Sequence, residues 1–195
     1  MKLPNSFYQR QNVTTIAKEL IGKVLVTNVN NKLTSGIIVE TEAYSYKERG
    51  CHAFKGMTPR NKVMFEEGGV TYVYLCYGIH HLFNVVTNQK DKADAVLIRA
   101  LEPLVGQSVM QERMKTKSLN KITSGPGKLT KALGIDRNHN GLFLQNHEIW
   151  IEEGSSRVLA KSILASPRIG IDYAGEDAKL PWRFTLKGSE WVSGR

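Results

Sequence analysis

Gly36-Ile37-Ile38-Val39-Glu40-Thr41-Glu42-Ala43-Tyr44 is a run of apolar and β-branched residues broken by two glutamates. Glutamate is depleted in strands, whereas the neighbours here are strand formers, so the segment reads as a strand carrying two unusual carboxylates. Side chains alternate along a strand, which predicts Ile38, Glu40, Glu42 and Tyr44 on one face. A carboxylate and an aromatic ring two residues apart on a rigid strand can serve one pocket, the ring stacking on a flat ligand and the carboxylate doing acid–base work. A solvated strand face with a salt bridge is the plainer alternative.

Outward from this strand, residues 23–29, 70–75, 82–87 and 93–101 read as further strands. Short connections between them favour antiparallel pairing. Residues 13–22 read as a helix capped by Thr14 or Thr15, with Ile16, Leu20 and Ile21 as its apolar face and Gly22 as its stop. Glu102-Pro103 is expected to open a second helix reaching about Met114. Ser124-Gly125-Pro126-Gly127 precedes a third, ended by Gly134. Residues 142–144, 149–152 and 183–186 read as short strands. Strands dominate and helices flank, so the expected class is α+β: one domain over residues 1–195 around a mixed or antiparallel sheet.

The chain carries 27 Lys plus Arg against 18 Asp plus Glu, a formal charge of +9 spread along its length. A folded basic domain suits a polyanion such as nucleic acid. Cys51 and Cys76 form no C-x-x-C pair, so a reduced compartment is expected rather than a disulfide scaffold. The polar start Met1-Lys2-Leu3-Pro4-Asn5 is unlike a signal peptide, and a soluble, cytoplasmic protein with no membrane partner is expected.

Thr71-Tyr72-Val73-Tyr74-Leu75-Cys76-Tyr77-Gly78 places Tyr72 and Tyr74 on one strand face and Tyr77 at a strand end or turn. Such rings can stack on bases or wedge into a duplex; packing in a core is the commoner use of a tyrosine strand. Asn84 can read a base edge or cap a turn. Arg99 can pair with Glu42 or reach solvent. Cys51, His52, Cys76, His80 and His81 match no zinc-ligand spacing, and no metal is expected. Ser124-Gly125-Pro126-Gly127-Lys128 fails the P-loop pattern, because Ile122 and Leu129 stand where glycine and a hydroxyl residue are required.

Taken in order, Val39-Glu40-Thr41-Glu42-Ala43-Tyr44, His52, Thr58-Pro59-Arg60-Asn61, Met64-Phe65, Tyr72-Val73-Tyr74, Tyr77-Gly78, Asn84, Arg99-Ala100-Leu101-Glu102-Pro103-Leu104, Ser124-Gly125-Pro126 and Ala174-Gly175-Glu176 form a long and specific set. It resembles the alkyladenine (3-methyladenine) DNA glycosylase family, in a compact bacterial-type form. The resemblance implies a single domain with a curved antiparallel sheet, acting as a monomer with no cofactor on double-stranded DNA that contains damaged purines. It implies that Glu42 deprotonates the attacking water, and that Arg99 and a backbone carbonyl near Ile169 help hold that water. Tyr44 would stack on one face of the flipped base, with His52 and Tyr74 on the other. Tyr77 would insert into the duplex, and Asn84 would collide with the 2-amino group of guanine. The stretch from Ser45 to Cys51 departs from the family pattern.

This chemistry is coherent. Flipping a base costs a few kcal/mol, less where pairing is already damaged. A purine alkylated at N3 or N7 is cationic and leaves without further protonation, so one carboxylate suffices where sugar hydrolases use two. Water as nucleophile implies no Schiff base and no lyase step. The rival readings are a non-catalytic nucleic-acid-binding domain, a helix-hairpin-helix glycosylase built on the Pro126-Gly127 turn with Asp136, and a metal-dependent nuclease using Glu40 and Glu42.

Overall fold

The computed structural model describes residues 1–194. Eight strands form one sheet: β1 (Val24–Val29), β2 (Lys32–Tyr44), β3 (Thr71–Cys76), β4 (His80–Thr87), β5 (Asp94–Val105), β6 (Ile149–Glu152), β7 (Ile163–Ser166) and β8 (Arg183–Leu186). Four helices accompany them: α1 (Asn5–Tyr8), α2 (Val13–Leu20), α3 (Gln107–Met114) and α4 (Pro126–Leu133). Every strand pair is antiparallel, and the order is β3-β4-β5-β2-β1-β6, with β8 against β2 and β7 against β8. The class is therefore α+β with an antiparallel, curled sheet.

β2 is the spine. Along one edge it pairs with β5; along the other it pairs with β1 over residues 32–37 and with β8 over residues 40–42. Gly36 permits the close approach to β5, since a Cβ there would lie 2.8 Å from the Glu102 carbonyl oxygen. The β1–β2 hairpin turns on Asn30 and Asn31 at φ 55° and 57°, the pair of left-handed residues that a two-residue hairpin demands.

Two compensating register shifts lie where Glu40 faces β5: Ile38 pairs with Leu101, Glu40 with Ala100, and Thr41 with Ile98. The extra residue reverses the alternation. Ile38 joins Ala43, Ile98 and Leu101 in the main core, together with residues of α2 and α4. Thr41 also faces that side, donating to the Ala17 carbonyl at 2.9 Å. Ile38 thus does not share a face with Glu40, Glu42 and Tyr44, contrary to strict alternation. The opposite side of the sheet carries a smaller core of Cys51, Ala53, Met64, Val70, Tyr72, Val86, Ala93 and Ala95, against which Tyr44 and Tyr74 pack.

Other expectations are corrected here. Residues 102–105 extend β5, and α3 starts only at Gln107. Pro103 pairs with Gly36 beside a register shift, where a missing N–H is tolerated. Asn12, not Thr14 or Thr15, caps α2, accepting the Thr15 N–H at 3.0 Å. Residues 142–144 form no strand; Phe143 contributes a single bridge to Val70.

Candidate active site

Glu40 and Glu42 both have fully buried side chains. Glu40 accepts from Arg99 Nε at 2.9 Å, Arg183 Nε at 2.6 Å, and the Ser193 hydroxyl and N–H at 2.9 and 2.7 Å. Glu42 accepts from the Tyr44 hydroxyl on Oε2 at 2.7 Å and from the Ile169 N–H on Oε1 at 2.8 Å, with Arg99 Nη1 3.4 Å from Oε1. Arg99 therefore bridges the two carboxylates, settling the choice between Glu42 and solvent. Burial works against the Arg99 guanidinium, but the charges of Glu42 and Glu40 and the Glu40 hydrogen bond hold its pKa above the usual arginine value. Burial first, then the Glu42 charge, pushes the Tyr44 phenol well above its ordinary pKa, so Tyr44 stays a donor to Glu42.

Above this network lies a cleft of about 530 Å³, within the usual range for small-molecule sites. Tyr44, His52, Tyr74, Tyr77, Asn84, Arg99 and Ile169 all line it. Glu42 does not: it sits immediately beneath the wall made by its own partners Tyr44, Arg99 and Ile169. The Ile169 N–H is the backbone group that donates to Glu42.

The aromatic wall comes from β3 and the loop before it. Tyr72 and Tyr74 lie on one strand face with ring centroids 5.4 Å apart, as alternation predicts. His52 meets Tyr74 edge-on at 4.6 Å, and its Nδ1 lies 3.0 Å from the Tyr72 hydroxyl. Desolvation among these rings, followed by the nearby Arg60 charge, lowers the His52 pKa below the usual 6.5, so His52 is neutral at pH 7. Burial raises the Tyr72 phenol to about 12. Asn84 stands mid-strand on β4, and its amide donates to the Tyr72 carbonyl at 3.1 Å, which fixes its plane at the cleft wall.

Tyr77 tips the β3–β4 hairpin with 88% of its surface exposed. Its φ is 50°, and Gly78 follows at 72°, so two of the three residues of this turn are left-handed. A left-handed bulky residue is a true outlier, held here by the hairpin so that the ring projects from the cleft rim. Across the cleft, α4 begins at Pro126, and Gly127 lets it pack on His80: a Cβ there would lie 2.8 Å from the imidazole.

Several residues at the site were not singled out from sequence. Arg60, noted only within a motif, lines the cleft and lies 5.4 Å from the Tyr74 ring centroid. Arg183 and Ser193 complete the shell of Glu40. Glu48 and Arg168 form a buried pair behind Tyr44. Among the described residues, no group of three or more His, Cys, Asp or Glu side chains is arranged to hold a metal ion. No described helix is long and apolar enough to cross a membrane.

Residues 6–190 match the family model described as Methylpurine-DNA glycosylase (MPG). The chain belongs to this family. Among curated relatives named "Putative 3-methyladenine DNA glycosylase", the protein of Chlamydia felis is 45% identical over 188 residues, covering 94% of this chain and 95% of that one. The Methanocella arvoryzae protein is 46% identical over 196 residues, covering 99% and 96%. That of Carboxydothermus hydrogenoformans is 45% identical over 193 residues, covering 99% of both chains. The family is one of DNA-repair hydrolases that act on N-glycosyl bonds, and the similarity to these relatives runs over nearly the whole of each chain.

Proposed function

We propose that this protein is a monofunctional DNA glycosylase that flips damaged purines out of duplex DNA and hydrolyses their glycosidic bond with a water activated by Glu42. The observation that carries the reading is a buried carboxylate held beneath an aromatic cleft. Glu42 is fixed by Tyr44 and Ile169 and approached by Arg99. A carboxylate offers about four acceptor positions. Oε2 takes only the Tyr44 hydroxyl among the described residues, which leaves a lone pair for a water entering between Tyr44 and Arg99.

In this mechanism the base enters between Tyr44 on one side and His52 with Tyr74 on the other. Aromatic faces attract a cationic purine, and a neutral His52 does not repel it. As the C–N bond lengthens, its electrons leave with the purine and the sugar becomes oxocarbenium-like. Glu42 stabilises that charge and takes a proton from the water as its oxygen bonds the anomeric carbon. Tyr77 fills the gap in the stack, and Asn84 stands against the guanine 2-amino group, a cost that undamaged guanine cannot offset but that 7-methylguanine offsets because its cationic ring leaves readily. The substrate class is 3-methyladenine and 7-methylguanine, which leave as cationic purines, with hypoxanthine and ethenoadenine as neutral members that take a proton or hydrogen bonds as they leave. The protein acts as a cytoplasmic monomer without a cofactor.

The test is release of free base from methylated DNA and from a hypoxanthine-containing duplex, with chelator present, by wild type and Glu42→Gln. Base release by wild type alone, with strands intact until alkali, is the expected result. Tight DNA binding with no release from either substrate would overturn the reading in favour of a non-catalytic binding domain.

A further inference from the structure

The loop from Ser45 to Cys51, which follows β2, contributes one buried charge to the back of the site. Glu48 accepts two hydrogen bonds from Arg168, at 2.6 and 2.9 Å, with both side chains almost wholly buried. The same guanidinium donates to the Ala43 carbonyl at 2.8 Å and the Asp177 carbonyl at 3.1 Å. Its carbon lies 4.7 Å from the Tyr44 ring centroid and 5.3 Å from that of Trp182. Arg168 is thus joined to the end of β2, to the loop after it and to the turn at residues 172–179. Its chain neighbour is Ile169, whose N–H is bonded to Glu42.

We infer that Glu48 and Arg168 act as a positioning clamp, holding the Tyr44 hydroxyl and the Ile169 N–H on Glu42 so that its remaining lone pair faces the cleft. The inference rests on the proposed role of Glu42 as base. Both close donors to Glu42 depend on the clamp: Arg168 backs the Tyr44 ring, and its backbone carries the Ile169 N–H. Neither Glu48 nor Arg168 lines the cleft. Their loss therefore acts first on the chemical step: His52 and Tyr74 are untouched, and Tyr44 keeps its ring in the cleft wall while its hydroxyl loses the support that sets it on Glu42.

A buried ion pair is weak evidence for stability, because removing one partner strands the other whereas replacing both is often neutral. This separates positioning from mere scaffolding. Glu48→Gln alone and Arg168→Met alone are both expected to lose stability. The double variant Glu48→Gln/Arg168→Met is expected to regain most of it, since the Gln oxygen still accepts the Gly50 N–H that Glu48 holds at 2.7 Å. Excision, however, is not expected to return with stability. In single turnover on methylated duplex DNA the double variant should remain about 30-fold or more slower than wild type, with lesion-duplex affinity within about threefold.

Arg168→Lys provides an independent variant. It keeps a cation beside Glu48, yet a lysine cannot reach Glu48, Ala43 and Asp177 at once, and a loss of about tenfold in the excision step is expected. Glu42→Gln is run alongside. Wild-type excision by a stable double variant, or by Arg168→Lys, with Glu42→Gln inactive, overturns the clamp alone. Wild-type excision by Glu42→Gln overturns the base assignment, and the clamp falls with it.

Discussion

Glu40 and Glu42 stand two residues apart on one strand, on one face, equally buried and linked by one arginine, yet their surroundings prepare them for different work. Glu40 is enclosed by two guanidiniums and by both donors of Ser193. Glu42 has two close neutral donors and one more distant cation, and the wall above it opens onto a cleft. Burial by itself does not mark the reactive carboxylate. What separates the two is whether an acceptor site is left over and whether solvent-sized space adjoins it.

Replacing each carboxylate by its amide is the most direct way to break that comparison. Glu42→Gln should cost about a thousandfold or more in single-turnover excision, within the span of general-base effects. Its thermal midpoint should barely move, because the Tyr44 hydroxyl can rotate to accept from the amide. Equal excision by mutant and wild type would erase the distinction. Glu40→Gln should instead act on folding: Arg183 loses its counter-ion, Arg99 keeps only the longer contact to Glu42, and an amide N–H₂ meets the Ser193 N–H. A loss of about 3–5 kcal/mol in urea denaturation is expected, the cost typical of stranding a buried charge. A stability change under about 1 kcal/mol would show that Glu40 is not the framework carboxylate.

Smaller effects sharpen the contrast between the buried network and the rim. Tyr77→Ser should weaken lesion-duplex affinity by about tenfold, roughly the loss of one stacked aromatic contact. Stability should hold or rise slightly, since an exposed ring is removed from a left-handed turn; unchanged affinity in a gel-shift titration would count against the wedge. The mildest effect concerns His52. Its native pKa lies below the unfolded value, so the folded protein binds fewer protons. The associated stability is present above pH 6.5 and is lost as pH falls through that value toward the native one. Melting curves between pH 5 and 7.5 should show this decline, and His52→Gln should reduce it; an identical slope in both proteins would refute it.

Much of the sheet was legible because β-branched runs are long and turns are marked. The failures have local physical causes. Pro103 reads as a helix opener, but a register shift lets it sit in β5 opposite Gly36. Thr14 and Thr15 compete as caps in a sequence where Asn12 is one turn better placed. Periodicity could not detect the extra residue between Ile38 and Glu40, because a bulge requires knowledge of the partner strand. β7 escaped notice because Leu164 and Ala165 remain exposed and, among the described residues, it pairs with β8 alone. At the site, local motifs on β2, β3 and β5 were readable as segments. The Glu48–Arg168 pair was not, because its two residues lie 120 positions apart and neither stands in a suggestive pattern.

The ties of Glu40 to Ser193 span 153 residues of chain. During synthesis, β2 emerges long before the partner that completes its charge network. At ordinary elongation rates of about 5–20 residues per second, the strand waits roughly 8–30 s with an incomplete buried cluster. The nascent chain can collapse around its main core in that interval, but the carboxylate–arginine network beneath the cleft is assembled last. Chains halted before Ser193 would therefore carry the aromatic wall without the full set of donors on Glu40.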